Sequence, residues 1–145
     1  MRAIVDTCVV VDALQSREPF CKDAERIFLL SADQKFLGYL TAKAMTDIYY
    51  LVHRITHNDK ATRDILNKLC SLFGILDTTA ADIYDALSSK ISDFEDAVMT
   101  ETAVRLKIDC IVTRNVKDYK NSAIPVYSPS EFIGLLEEAD DEGDF

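Results

Sequence analysis

Five short apolar runs rich in strand-forming residues, Ala3–Asp6, Lys35–Tyr39, Phe73–Asp77, Asp109–Thr113 and Pro125–Tyr127, alternate with stretches whose apolar residues recur at helical spacing. Parallel strands need a crossover connection, and the usual crossover is a helix. The alternation therefore predicts an α/β fold, a three-layer α/β/α sandwich around a central, mostly parallel sheet of four to five strands. The helical stretches are Glu18–Leu30, Thr41–Arg54, Asn58–Leu72, Thr79–Ser88, Asp93–Leu106 and Ser130–Glu138, with a short one from Thr7 to Leu14. Two of them, covering 41–72, follow one another without a strand between, which predicts a helical hairpin beside the sheet.

A chain of 145 residues, 48% of them apolar, has the size of one ordinary domain. Residues 1–138 are assigned to that domain. Residues 139–145 form an acidic end with too little apolar surface to order itself, and are expected to be disordered. The net charge is -9, but six acids fall in the last nine residues, so residues 1–136 carry only 16 bases against 19 acids, or -3. That balance argues against tight nonspecific binding through a broad basic face, yet it does not exclude a nucleic-acid substrate for an acidic, cation-binding site. No apolar stretch has the length of a signal segment or membrane span, and Cys8, Cys21, Cys70 and Cys110 lie far apart with no metal-ligand spacing. The expectation is a soluble cytoplasmic protein with reduced thiols and no membrane partner.

Three acids stand out. Asp6 ends the Ala3-Ile4-Val5 run where a buried strand surfaces, the place at which open α/β sheets carry chemistry. Asp47 and Asp96 are set in amphipathic helical segments among small and apolar residues. Each has a plainer reading: Asp6 as a helix cap, Asp47 as a solvated helix acid, and Asp93 with Asp96 as acids favoured at a helix start. Taken together they suggest one pocket. Three carboxylates about 5 Å apart repel by roughly 3 kcal/mol per pair at an effective dielectric near 20, about 10 kcal/mol in all. A hard divalent cation, Mg²⁺ or Mn²⁺, offsets that repulsion and suits phosphodiester hydrolysis through a metal-activated water. A fourth segment, Thr113-Arg114-Asn115-Val116-Lys117-Asp118-Tyr119, leaves another buried strand and sets Thr113, Asn115 and Asp118 just beyond its carboxyl end, where a plain turn is the simpler reading.

In order and spacing these segments resemble the PIN domain family of metal-dependent ribonucleases, VapC-like toxins in particular, over nearly the whole chain up to the acidic end. Asp6-Thr7-Cys8 is similar to the family's D-T-N opening, Asp47-Ile48-Tyr49-Tyr50 to its E-I-Y-Y helix, and Asp93-Phe94-Glu95-Asp96-Ala97 to D-x-x-D-A. Thr113-Arg114-Asn115 with Asp118-Tyr119 is similar to T-R-D/N followed by D-F. The resemblance implies a PIN-like fold and an Mg²⁺- or Mn²⁺-dependent endoribonuclease. It implies Asp6, Asp47, Asp96 and Asp118 as catalytic acids, with Asp6, Asp96, Asp47 and Asn115 as metal ligands. It further implies Arg114, Thr113 and Lys117 as substrate contacts, Arg114 on phosphate. Lys43, His53, Arg54, His57, Lys60, Arg63 and Lys68 are additional basic or imidazole candidates, most of them explained as solvated helix faces. Implied partners are an RNA substrate, a second copy of the chain and a small antitoxin protein.

Three departures bear on the metal. Cys8 replaces a common Asn, Asp47 is one methylene shorter than Glu, and Asn115 is neutral where many relatives carry Asp. They keep open the alternative of a catalytically weak or inactive PIN-like scaffold that binds RNA or a protein. A receiver-type phosphoacceptor domain fits less well, because the acid pair after the first strand is absent. A haloacid-dehalogenase-like phosphatase needs D-x-D, which Cys8 interrupts.

Overall fold

The computed structural model describes residues 1–143. Among them run β1 (Arg2–Val5), α1 (Thr7–Leu14), α2 (Cys21–Ala32), β2 (Leu37–Thr41), α3 (Ala42–Thr56), α4 (Asp59–Leu72), β3 (Gly74–Leu76), α5 (Ala80–Leu87), α6 (Phe94–Arg105), β4 (Cys110–Val112), a 3₁₀ turn (Val116–Tyr119), β5 (Val126–Tyr127) and α7 (Pro129–Gly143). The five strands pair in parallel throughout, in the order β3-β2-β1-β4-β5, so the predicted α/β/α architecture holds and the sheet is wholly parallel.

Side-chain alternation along the strands builds the two outer layers. Ala3 and Val5 of β1, with Cys110 and Val112 of β4, face a core completed by Val9, Val10, Ala24, Ile27, Leu40, Ile48, Leu69 and Phe132. Ile4 and Ile111 face the other way, against Met99, Ala103, Ile108 and Tyr119. After β1 the chain adds β2 and β3 on one side and β4 and β5 on the other. The strand order reverses between β1 and β4, and the crevice at their carboxyl ends is where such sheets take ligands.

Two boundaries differ from expectation. The second strand sits two residues later than its apolar run, ending at Thr41, and α3 begins with no loop because Thr41 Oγ1 accepts from Ala44 N–H at 3.1 Å and caps it. The predicted helical hairpin is α3 and α4, joined through His57 at φ 51°. At the carboxyl end, residues 139–143 continue α7, although the sequence suggested an unordered tail. Glu and Ala are good helix formers, and Lys35 pairs with Asp140 at 3.8 Å, so the acidic run extends a helix already anchored by buried Phe132 and Leu136. Asp144 and Phe145 of that tail lie outside the described residues. No helix among the described residues is long and apolar enough to cross a membrane.

Candidate active site

Asp6 is the first residue after β1 and caps α1, accepting from Thr7 N–H through Oδ1 at 2.7 Å. Its other oxygen, Oδ2, accepts from Thr113 Oγ1 at 2.8 Å and from the Tyr119 hydroxyl at 3.0 Å. One carboxylate thus caps α1 and ties it to Thr113 and Tyr119 beyond β4. Burial pushes the Asp6 carboxyl above its ordinary range, against the hydrogen bonds from Thr113, Tyr119 and Thr7, which favour the charged form.

Asp96 occupies the first turn of α6, its backbone N–H held by the Asp93 cap at 3.0 Å. Burial, followed by the negative charges of Asp6 and Asp93 and more weakly Asp118, raises its carboxyl to about 7. The Tyr119 hydroxyl, which donates to Asp6, acts in the opposite direction on Asp96. The phenol itself is pushed far upward, by burial first and by the two carboxylates next, which keeps it a donor at any ordinary pH.

A cleft of about 320 Å³ opens above these residues, lined by Asp6, Thr7, Lys43, Asp47, Tyr50, Arg54, Glu95 and Asp96 among others. Asp6, Asp47 and Asp96, three acids separated widely in sequence, therefore share one wall system. Their electrostatic settings differ. Lys43 Nζ contacts Asp47 at 2.5 Å and Glu95 at 3.0 Å, so an ammonium already balances the α3 side. No Lys or Arg among the described residues forms an ion pair with Asp6 or Asp96.

The donor set suits a hard divalent cation in kind: carboxylate oxygens, partly desolvated, mutually repulsive and short of positive charge at Asp6 and Asp96. It falls short of a closed cage. Among the described residues no three His, Cys, Asp or Glu side chains stand together as a ready metal site. Asp6 and Asp96 are the residues that would hold an ion, with water completing its shell, while Asp47 stays with Lys43 unless that pair opens.

The fourth motif is divided by the structure. Thr113, expected at the substrate, is fully buried and donates to Asp6 Oδ2, where it orients the carboxylate. Arg114 was expected on phosphate but turns away from the cleft. Its Nε reaches Asp12 Oδ2 at 2.8 Å, and its guanidinium carbon lies 4.2 Å from the centre of the Phe20 ring. Asp12, 1% exposed, has no other ion-pair partner among the described residues. Asn115, Lys117 and Asp118 are exposed around a separate shallow pocket outside the cleft lining, and Asp118 reaches the site only through its charge on Asp96. Cys8, in place of Asn, keeps a contact to Thr113 Oγ1 at 3.7 Å, so the loop retains a tie there. The four cysteines are free.

Sequence reasoning missed Tyr119, Glu95 and Asp12. The one signal for Glu95 is its place beside Asp96 in the acid-rich run Asp93-Phe94-Glu95-Asp96. The polar oxygen that distinguishes Tyr from Phe signalled Tyr119. Asp12 lies between Val9-Val10-Val11 and Ala13-Leu14, and an acid in so apolar a stretch marks a buried charge needing a partner.

Among solved structures, VapBC2 from Rickettsia felis bound to promoter DNA matches with a TM-score of 0.65 at 15% identity, covering 88% of this chain and 98% of that one. A toxin–antitoxin complex from Klebsiella pneumoniae gives 0.64 at 21% identity, covering 88% and 97%. VapC20 from Mycobacterium tuberculosis, a toxin that cleaves the sarcin-ricin loop, gives 0.59 at 16% identity, covering 75% and 86%. At these identities the likeness is one of fold. No curated protein sequence matches the chain. The family model described as PIN domain matches residues 2–117, most of the chain and every strand but the last. The chain belongs to the PIN domain family.

Proposed function

We propose that the cleft between β1, α3 and α6 hydrolyses RNA phosphodiester bonds with Mg²⁺ or Mn²⁺ held by Asp6 and Asp96, in the manner of a toxin nuclease. The observation that carries this reading is the Asp6–Asp96 pair, Asp6 raised by burial and Asp96 by burial and by the charge of Asp6, with no ion pair to either acid among the described residues. A bound divalent ion supplies the missing positive charge, polarises a phosphoryl oxygen and makes a coordinated water more acidic. Asp6 is locked in one orientation by three hydrogen bonds, so it presents its free oxygen lone pair without rearrangement. Asp96, raised to about 7 beside Asp6 in the metal-free chain, would be held as the carboxylate once an ion is bound and would share that ion with Asp6. Lys43 and Arg54 line the cleft rim and would meet substrate phosphates.

The fold is shared with toxins solved together with antitoxins, which supports a small antitoxin as partner. The exposed apolar residues Ile83, Tyr84 and Leu87 of α5, with Phe94 beside them in sequence at the start of α6, support a homodimer.

A second reading, a scaffold that binds RNA or a protein without cutting, is favoured by the Lys43–Asp47 pair, which occupies one of the family's ligand positions. Cleavage of a single-stranded RNA separates the two. With millimolar Mn²⁺ the protein is expected to cut, and neither EDTA-treated protein nor Asp96→Asn should do so while remaining folded. RNA binding without cleavage in Mn²⁺ supports the scaffold instead.

A further inference from the structure

Tyr119 fills the place of the phenylalanine in the D-F pattern, and its ring does what that phenylalanine would. It is 2% exposed, packed with Ile4, Met99, Ala103 and Ile111 on the α6 side of the sheet. The hydroxyl is not needed for that packing, and burying it is costly unless it is bonded. It is bonded to one acid, 3.0 Å from Asp6 Oδ2, and lies 3.5 Å from Met99 Sδ. Tyr119 is buried and does not line the cleft that Asp6 lines, so its hydroxyl reaches the Asp6 carboxylate from the protein side.

A carboxylate offers about four lone-pair directions, two on each oxygen. On Asp6, Thr113 and Tyr119 take both of those on Oδ2, and Thr7 N–H takes one on Oδ1. One direction remains, on Oδ1. An ion entering from the cleft therefore meets an acid able to give a single oxygen. Mg²⁺ and Mn²⁺ accept that arrangement, since they bind few carboxylates and keep several waters, whereas Ca²⁺ draws on six to eight oxygens and favours carboxylates that give both.

We propose that Tyr119 is a positioning residue that sets metal selectivity: together with Thr113 it occupies Oδ2 of Asp6, confines that carboxylate to one-oxygen coordination, and biases the cleft toward Mg²⁺ and Mn²⁺ over Ca²⁺. The inference rests on the reading of the cleft as a cation site and adds to it the residue that discriminates between cations.

The test is calorimetric titration of Mn²⁺ and of Ca²⁺ into metal-free protein, for the parent, Tyr119→Phe and Thr113→Val, with circular dichroism to confirm the fold. Each substitution frees one lone pair on Oδ2, so the parent's preference for Mn²⁺ over Ca²⁺ is expected to fall by about tenfold in both. A role in packing alone would leave the ratio of the two affinities unmoved. If the parent binds Mn²⁺ and the ratio is unchanged in the folded variants, the inference is overturned while the cation site stands. If the parent binds neither ion, the cation site fails and the inference with it. Should Tyr119→Phe not fold, Thr113→Val decides.

Discussion

Arg114 grips Asp12 with two nitrogens, Nε to Oδ2 at 2.8 Å and Nη2 to Oδ1 at 3.2 Å, across 102 positions of sequence. The pair fastens the loop that follows β4 to the middle of α1, and so fixes Thr113 and Tyr119 against Asp6. Asp12 is only 1% exposed, so an unpaired charge there has nowhere to go. Arg114→Ala is expected to destabilise the fold by about 3 kcal/mol, because it strands that charge. Arg114→Ala/Asp12→Ala should recover part of the loss. Urea unfolding measures both. Where the folded fraction is held equal, RNA affinity should be unchanged, since the guanidinium does not face the cleft.

The acidic pair gives the metal-free protein an unusual pH dependence. The Asp96 carboxyl is raised from 3.8 to about 7 on folding, and Asp6 is raised as well. Groups of this kind bind protons more tightly in the folded chain, so their contribution is fully present below 3.8 and is lost as pH climbs through about 7. In EDTA the unfolding midpoint should fall between pH 5 and pH 8 by roughly 5 °C. Asp96→Asn should flatten that slope. Saturating Mn²⁺ should reverse it, because the ion binds the deprotonated pair.

Lys43 holds the negative charge of Asp47 and Glu95 at the cleft rim. Lys43→Met releases Asp47 toward the cleft and makes the site more negative. Mn²⁺ should then bind more tightly, by roughly two- to fivefold for a pair this exposed, and RNA should bind more weakly in EDTA. Calorimetry and fluorescence anisotropy read the two opposed effects. A parallel loss of both affinities would mean that Lys43 serves the fold and not the charge balance.

On α5, Tyr84 and Leu87 are 72% and 69% exposed, with Ile83 one turn before Leu87 on the same helix. If this apolar face joins two copies, Leu87→Asp should halve the mass measured by light scattering at micromolar concentration and leave the secondary structure intact. An unchanged dimer would place the interface elsewhere, and a monomeric parent would remove it.

The fold was legible because its signals are local. Each strand announced itself as a short bounded apolar run, each helix as a 3.6-residue repeat, and boundaries moved by three residues or fewer except at the carboxyl end of α7. The convergence of Asp6, Asp47 and Asp96 on one cleft was also legible, since acids at a strand end and inside apolar helix faces need a common explanation. The partners were not. Nothing in the spacing of Arg114 says that it will choose Asp12 over a phosphate, because that choice depends on a valine-flanked acid a hundred residues earlier being left without a counter-charge. Thr113 and Tyr119 likewise became visible as Asp6's partners only once β4 lay beside β1. The acidic end misled for a different reason: low apolar content signals weak packing, but here the preceding helix was already anchored and had only to be extended.

The proposed function requires Asp6 and Asp96 to hold a divalent cation. Titration of Mn²⁺ into metal-free protein, followed by electron paramagnetic resonance, tests it most directly. One ion is expected per chain, with binding abolished in Asp6→Asn and in Asp96→Asn and only weakened or unaffected in Asp47→Asn. Equal Mn²⁺ binding by the folded Asp6→Asn and Asp96→Asn variants would contradict the account.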